Sequence, residues 1–284
     1  MFDALQDVKP LFVLIYAAFV GACLGSFVNV IVHRLPQGRS IIRPPSGCDH
    51  CGRLLQWYEN IPIISYLMCV GKSRCCKKPL TFRHIITEVM MAVLMMGVVS
   101  HFGLSWRSVL WSSVITAVAT LALIDLDHFW LPDSITLPLL LVAVLLPWIP
   151  GWITPYQALL GLIPGLLMFA VGFVYQKITG REGLGLGDVK LLAGLGALVG
   201  LPSALSILFL AAVQGAVIGS VMLFIGRRTS SPPTVFEDGW VPPARAIPFG
   251  PFLVLAFLEV LLMPKIFDGA PWRVVQVLLD AYRL

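Results

Sequence analysis

Residues 11–32 and 204–225 contain no acidic or basic side chain. An uninterrupted apolar run of ~20 residues is what a helix needs to cross a hydrocarbon layer of ~30 Å, and a helix of a water-soluble core would show a polar face instead. Similar runs cover residues 84–102, 108–124, 134–149, 157–175, 189–200 and 249–263, so the bilayer is the solvent for most of the chain. Composition agrees: the 284 residues are 58% hydrophobic and 12% charged, against about 25% charged in soluble domains. A closed β-barrel would show short alternating segments, and these are absent. The expected fold is therefore an all-α polytopic membrane protein of about eight transmembrane helices. The run 189–200 is short and glycine-rich and needs neighbours to shield it.

The net charge of +5 does not point to nucleic acid, because Lys and Arg gather between the apolar runs. Threading the runs alternately across a membrane puts 15 of the 20 Lys and Arg residues on one face. By the positive-inside rule that face is cytoplasmic and the N-terminus lies outside. The first run is too long for a signal peptide and is followed by His33-Arg34 rather than a small-residue cleavage site, so it is expected to stay as an anchor. The organisation expected is a first anchor at 1–32, a cytoplasmic cysteine-containing loop domain at 33–83, a transmembrane catalytic core at 84–263 and a C-terminal tail at 264–284. The proline-rich stretch 229–246 reads as an extended surface loop, and residues 272–282 as a weakly amphipathic interfacial segment. Trp residues flanking the runs fit an aromatic belt, and the pairs Gly161/Gly165 and Gly215/Gly219 suit close helix packing.

Three constellations carry chemistry. The first is Asp125-Leu126-Asp127-His128, followed by Leu131-Pro132-Asp133. Asp133 is expected to cap the next helix. Asp125 falls at the C-terminal end of its helix, where the macrodipole opposes a negative charge, so it calls for a function. The second is Gly183-Leu184-Gly185-Leu186-Gly187-Asp188-Val189-Lys190, in which small residues leave the following carboxylate accessible. It lacks the Lys-Ser/Thr of a phosphate-binding loop. Both Asp125 and Asp188 are expected at the cytoplasmic ends of spans. Two carboxylates at one depth can share a proton, one acting as base toward water and the other polarising a carbonyl, which is the chemistry of aspartic proteases. Helix ends alone favour Asp188 as the ionised partner and Asp125 as the protonated one.

The third constellation is Cys48-Asp49-His50-Cys51 with the adjacent pair Cys75-Cys76. A cytoplasmic location argues against disulfides, and two thiolates from each segment would complete a tetrahedral zinc site. Adjacent cysteines are an awkward pair for one ion, so the expected ligands are Cys48, Cys51, Cys76 and either Cys75 or His50. Cys23 and Cys69 read as packing residues.

These segments, in this order, resemble the bacterial prepilin leader peptidases with N-methyltransferase activity that serve type IV pili and type II secretion. The carriers are Gly25-Ser26-Phe27-Val28-Asn29-Val30, His33-Arg34-Leu35-Pro36, Pro45-Ser46-Gly47-Cys48, Trp57-Tyr58-Glu59-Asn60-Ile61-Pro62, Ile124-Asp125-Leu126-Asp127 and Gly185-Leu186-Gly187-Asp188-Val189-Lys190. The resemblance implies an inner-membrane enzyme that cuts the basic leader of prepilin or pseudopilin precursors after a glycine. It further implies methylation of the new N-terminus with S-adenosylmethionine. The family's catalytic aspartates correspond to Asp125 and Asp188. Glu59, Asp127 and Glu182 are expected to meet the basic leader, with Lys190 as a further substrate contact. The chain departs from the family's cysteine pattern at Ser73, where the first cysteine of a second C-x-x-C would stand, which bears on zinc in the Cys48, Cys51, Cys75, Cys76 set. The partners expected are precursor and lipid bilayer, without nucleic acid and with a homo-oligomer left open. Two rivals fit less well. A protease of the signal-peptide-peptidase type would carry a Tyr-Asp partner, and a transporter would hold its carboxylates at mid-span.

Overall fold

The computed structural model describes residues 10–48, 50–149, 151–180, 184–224 and 247–263. The expected loop at 229–246, the interfacial segment at 272–282 and Glu182 lie outside the described residues. Ten α-helices form among the described residues. They are α1 (Pro10–Arg34), α2 (Ile64–Met68), α3 (Phe82–Phe102), α4 (Trp106–His128), α5 (Asp133–Leu145), α6 (Pro155–Gly161), α7 (Ile163–Thr179), α8 (Leu186–Val199), α9 (Leu201–Phe224) and α10 (Gly250–Leu262). No strand accompanies them among these residues, only the isolated bridges Gly47 to Leu54 and Lys72 to Pro79. Five helical stretches are long and apolar enough to cross a membrane, and α5 and α10 are shorter apolar helices. The chain is thus an all-α polytopic membrane protein. The expected span at 157–175 is divided into α6 and α7, because Pro164 in the first turn of α7 has no N–H to continue the ladder.

The chain divides into two compact units between Thr120 and Leu121. In the first, α1 packs along α3 through Gly21 and Gly25. A methyl group on Gly21 would stand 2.5 Å from the Met91 carbonyl oxygen, and one on Gly25 would stand 2.7 Å from the Glu88 Cα. Such spacing of small residues lets helices in lipid approach closely, where no hydrophobic force draws them together. Asn29 adds a polar tie, its Nδ2 donating to the His84 carbonyl at 3.1 Å. At the end of α1, Arg34 gathers the following loop by donating to the carbonyls of Ser40, Pro44 and Pro45 at 3.3, 2.8 and 3.4 Å. Further on, Ile63 adopts φ 62° and ψ −52°, closed by a bond from the Ile64 N–H to the Pro62 carbonyl. This is a γ-turn of the rare, strained hand, costing about 1–3 kcal/mol for a β-branched residue. The Ile63 N–H is held by Glu88 Oε2 at 2.7 Å.

In the second unit α8 lies at the centre, in contact with α5, α6, α7, α9 and α10. Its glycines allow this. Gly196 meets the Gly161 backbone of α6 directly, while a Cβ on Gly165 of α7 would stand 2.7 Å from Ala193. Leu191, Leu192, Leu195 and Leu198 are buried along one face of the helix, and Gly194, Gly196 and Ala197 are buried on the others. The short span is therefore shielded by its neighbours, as its length required. Helix α10 is tied to α9 by Gln214 Nε2, which donates to Glu259 Oε2 at 2.7 Å.

Candidate active site

Asp125 sits one turn before the end of α4, where its charge opposes that helix's own dipole. The structure supplies compensation from another helix. The backbone N–H of Gly250, the first residue of α10, donates to Asp125 Oδ2 at 3.0 Å. Asp125 is therefore 5% exposed and still hydrogen-bonded. Asp188 lies in the first turn of α8, where helical N–H groups have no partner within the helix. Its Oδ1 is buried and without a hydrogen-bond partner among the described residues. Both carboxylates thus face helix N-termini, so helix ends no longer separate an ionised Asp188 from a protonated Asp125, and that sequence argument loses its premise.

Leu131 links the two. Phe129 closes α4 with φ 53°, its N–H donating to the Asp125 carbonyl, and this turn sends the chain back through Leu131. The Leu131 side chain packs against Gly187, beside Asp188, and against Gly250, the donor to Asp125. Asp125 and Asp188 are within electrostatic reach of one another. A glycine is needed at 250, since a Cβ there would stand 2.7 Å from Asp125 Oδ2. A buried polar atom without a partner, beside a carboxylate that has one, is a site for a water molecule or a substrate carbonyl.

The other expected residues fall as follows. Asp133 is not the cap of α5. Pro132 holds that position, and Asp133, in the first turn, accepts from Lys190 Nζ at 2.6 Å. A proline there leaves the cap without a side-chain acceptor, and the lysine takes the carboxylate instead. Glu59 accepts from Arg53 at 2.6 and 2.7 Å and from the Gln56 N–H at 2.9 Å. Asp127 is half-buried near the end of α4. Sequence reading missed Gly250 altogether. Its signal was the Phe249-Gly250-Pro251 start of an apolar run, since a proline in a first turn marks a helix beginning.

In the first unit, the bridges at Gly47 and Lys72 close two turns that bring four cysteines together. Their Sγ atoms all lie within 4.8 Å of one another, with Cys48 to Cys76 at 3.8 Å and Cys51 to Cys75 at 3.2 Å. A tetrahedral zinc with Zn–S bonds of ~2.3 Å spaces its sulfurs by ~3.8 Å, so the set suits a metal ion. His50 is turned away, with Nε2 3.2 Å from the Pro79 carbonyl. Ser73, in place of a cysteine, lies with Oγ 2.9 Å from Cys76 Sγ. The backbone N–H groups of His50 and Cys51 bring the Cys48 thiol down to about 6 against the opposing effect of burial. The Ser73 hydroxyl and the Lys78 N–H lower Cys76, while bonding to Cys51 and Cys48 pushes Cys75 up to about 11.

Fold and site together define a class: a polytopic helical membrane protein with two carboxylates at converging helix N-termini and a cysteine tetrad suited to a metal. The profile of the bacterial peptidase A24 N-terminal domain matches residues 19–102, and that of the type IV leader peptidase family matches residues 112–220. A prepilin leader peptidase/N-methyltransferase of Myxococcus xanthus is 33% identical, covering 93% of this chain and 92% of its own. Proteins of the same name from Stutzerimonas stutzeri and Pseudomonas aeruginosa are 34% and 32% identical, each covering 87% of this chain and 90% and 89% of their own. No solved structure matches the chain. The chain belongs to the type IV leader peptidase family.

Proposed function

We propose that this chain is a bifunctional enzyme of the bacterial inner membrane. It cleaves the basic leader of type IV prepilins or pseudopilins after a glycine, then methylates the new N-terminus with S-adenosylmethionine. The names of its relatives support both reactions. For the peptidase, the observation that carries the reading is the Gly250 N–H on Asp125 Oδ2 beside the unpartnered Asp188 Oδ1. One carboxylate takes a proton from water, which attacks the scissile carbonyl, while the other, protonated, donates to the carbonyl oxygen. The proton gained by the base then passes to the departing amine. The Lys and Arg distribution favours a cytoplasmic site and a periplasmic N-terminus. Asp127 and Glu182 would add negative charge for the basic leader; Glu59 pairs with Arg53, and Lys190 with Asp133. Cys48, Cys51, Cys75 and Cys76 would hold zinc, which would supply structural order to a loop too small for a core of its own.

Purified protein, incubated with a synthetic precursor peptide with and without S-adenosylmethionine, should release the leader and methylate the remainder only when the donor is present. Asp125→Asn and Asp188→Asn should each lower cleavage by ~100-fold or more while the protein still inserts and folds. A fully active variant at either position would refute the dyad.

A further inference from the structure

In the first unit a cavity of about 300 Å³ lies between the last turns of α1 and the loop that follows. Small-molecule sites begin at roughly that size. Ser26, Phe27, Arg34, Ile42, Asn60 and Pro62 line it. Arg34 is 9% exposed, and its guanidinium meets carbonyl oxygens but no acidic side chain among the described residues. A buried cation without a counter-ion calls for an anion. Behind the opposite end, the Ser26 hydroxyl is within hydrogen-bond reach of Glu88. Glu88 is also 9% exposed, and its Oε2 grips the Ile63 N–H next to Pro62. No lysine or arginine pairs with it among the described residues. Ser26 and Arg34 are eight positions apart on α1, ~12 Å along the axis. Among the described residues the cavity thus has a cation with no acidic partner at one end, a carboxylate with no basic partner behind the other, and Phe27, Val30 and Ile42 among the residues between them.

The geometry points to this cavity as the seat of the methyl donor: the donor's carboxylate lies against Arg34, its sulfonium toward Ser26 and Glu88, and its ring system against Phe27 and Ile42. The inference rests on the methyltransferase half of the proposed function and uses none of the peptidase residues. The strained turn at Ile63 gains a purpose, because it aims a backbone N–H at Glu88 and so fixes the carboxylate behind the wall.

Equilibrium dialysis of the full chain in detergent with radiolabelled S-adenosylmethionine, and separately with its uncharged thioether S-adenosylhomocysteine, tests the assignment. Arg34→Gln should weaken both ligands by about tenfold or more, since both carry the carboxylate. Glu88→Gln should weaken the sulfonium by about tenfold and the thioether by less than about twofold, a selectivity that mere loosening of the fold would not produce. Ile42→Trp, on an exposed part of the loop, should block both without disturbing the helices. Precursor cleavage, run in parallel, should stay within about twofold in all three variants and so certify their folding. Undiminished binding by all three variants overturns the cavity. Wild-type protein that cleaves precursor yet binds no donor overturns the methyltransferase reading instead.

Discussion

Gly250 has no side chain, yet its N–H is the donor that meets Asp125 in the proposed peptidase site. A Cβ there would press on Asp125 Oδ2 at 2.7 Å, and both the backbone of α10 and the carboxylate are held by their surroundings. Gly250→Ala is therefore expected to lower precursor cleavage by about tenfold or more with little change in expression, because a small displacement of the proposed catalytic carboxylate is enough. An alanine variant with unaltered kcat would show that the contact is incidental. The cysteines allow a second test at this scale. Zinc needs thiolates, and Cys75, pushed up to about 11, must give up its proton on binding, whereas Cys48, at about 6, has already lost its own near neutrality. Zinc affinity should thus rise with pH and fall most steeply below about pH 6, where Cys48 too must be deprotonated. Competition with a chelating dye across that range would reveal it, and a flat profile would contradict it. The two aspartates and all four cysteines were legible in the sequence because they are chemically conspicuous types in polar breaks between apolar runs. Gly250 and Glu88 were not, since the one acts through its backbone and the other gains its meaning only from α1 packing beside it.

The positions of the helices could be read from hydropathy, because insertion into lipid depends on each segment's own composition. Their pairing could not, since contacts between helices in lipid are settled by small residues and isolated polar groups whose partners lie far away in sequence. Gln214 and Glu259 illustrate this, 45 residues apart and joined at 2.7 Å. Replacing Gln214 by Leu leaves the Glu259 carboxyl among apolar neighbours without that donor, and should loosen α10 from α9. Interhelical hydrogen bonds in membranes are typically worth about 0.6 kcal/mol and at most ~1.7 kcal/mol, so the protein should still fold, with a lowered thermal midpoint in detergent. Glu259→Gln keeps an acceptor and should behave close to wild type. Equal midpoints for Gln214→Leu and wild type would show that α10 is held by packing alone. The division of the fifth span into α6 and α7 escaped the hydropathy reading for a different reason: Pro164 interrupts hydrogen bonding without interrupting apolarity.

On the scale of the whole molecule, the sequence order of the chain separates a cysteine-bearing first part from a carboxylate-bearing second, and the compact units follow the same division. Helix α8, which carries Asp188, is 14 residues long, ~21 Å at 1.5 Å per residue, well short of a ~30 Å hydrocarbon layer. Five other helices pack against it, and from Leu191 onward most of its residues are buried. A short helix at the lipid boundary would have to tilt, or thin the surrounding layer, whenever acyl chains lengthened. This one is insulated from that stress. Reconstituted into vesicles whose acyl chains differ by several carbons, the enzyme should cleave precursor at nearly constant rates. A helix packed against five neighbours over most of its length is stretched little by a thicker membrane, so the active centre it carries is buffered against changes in the lipid around it.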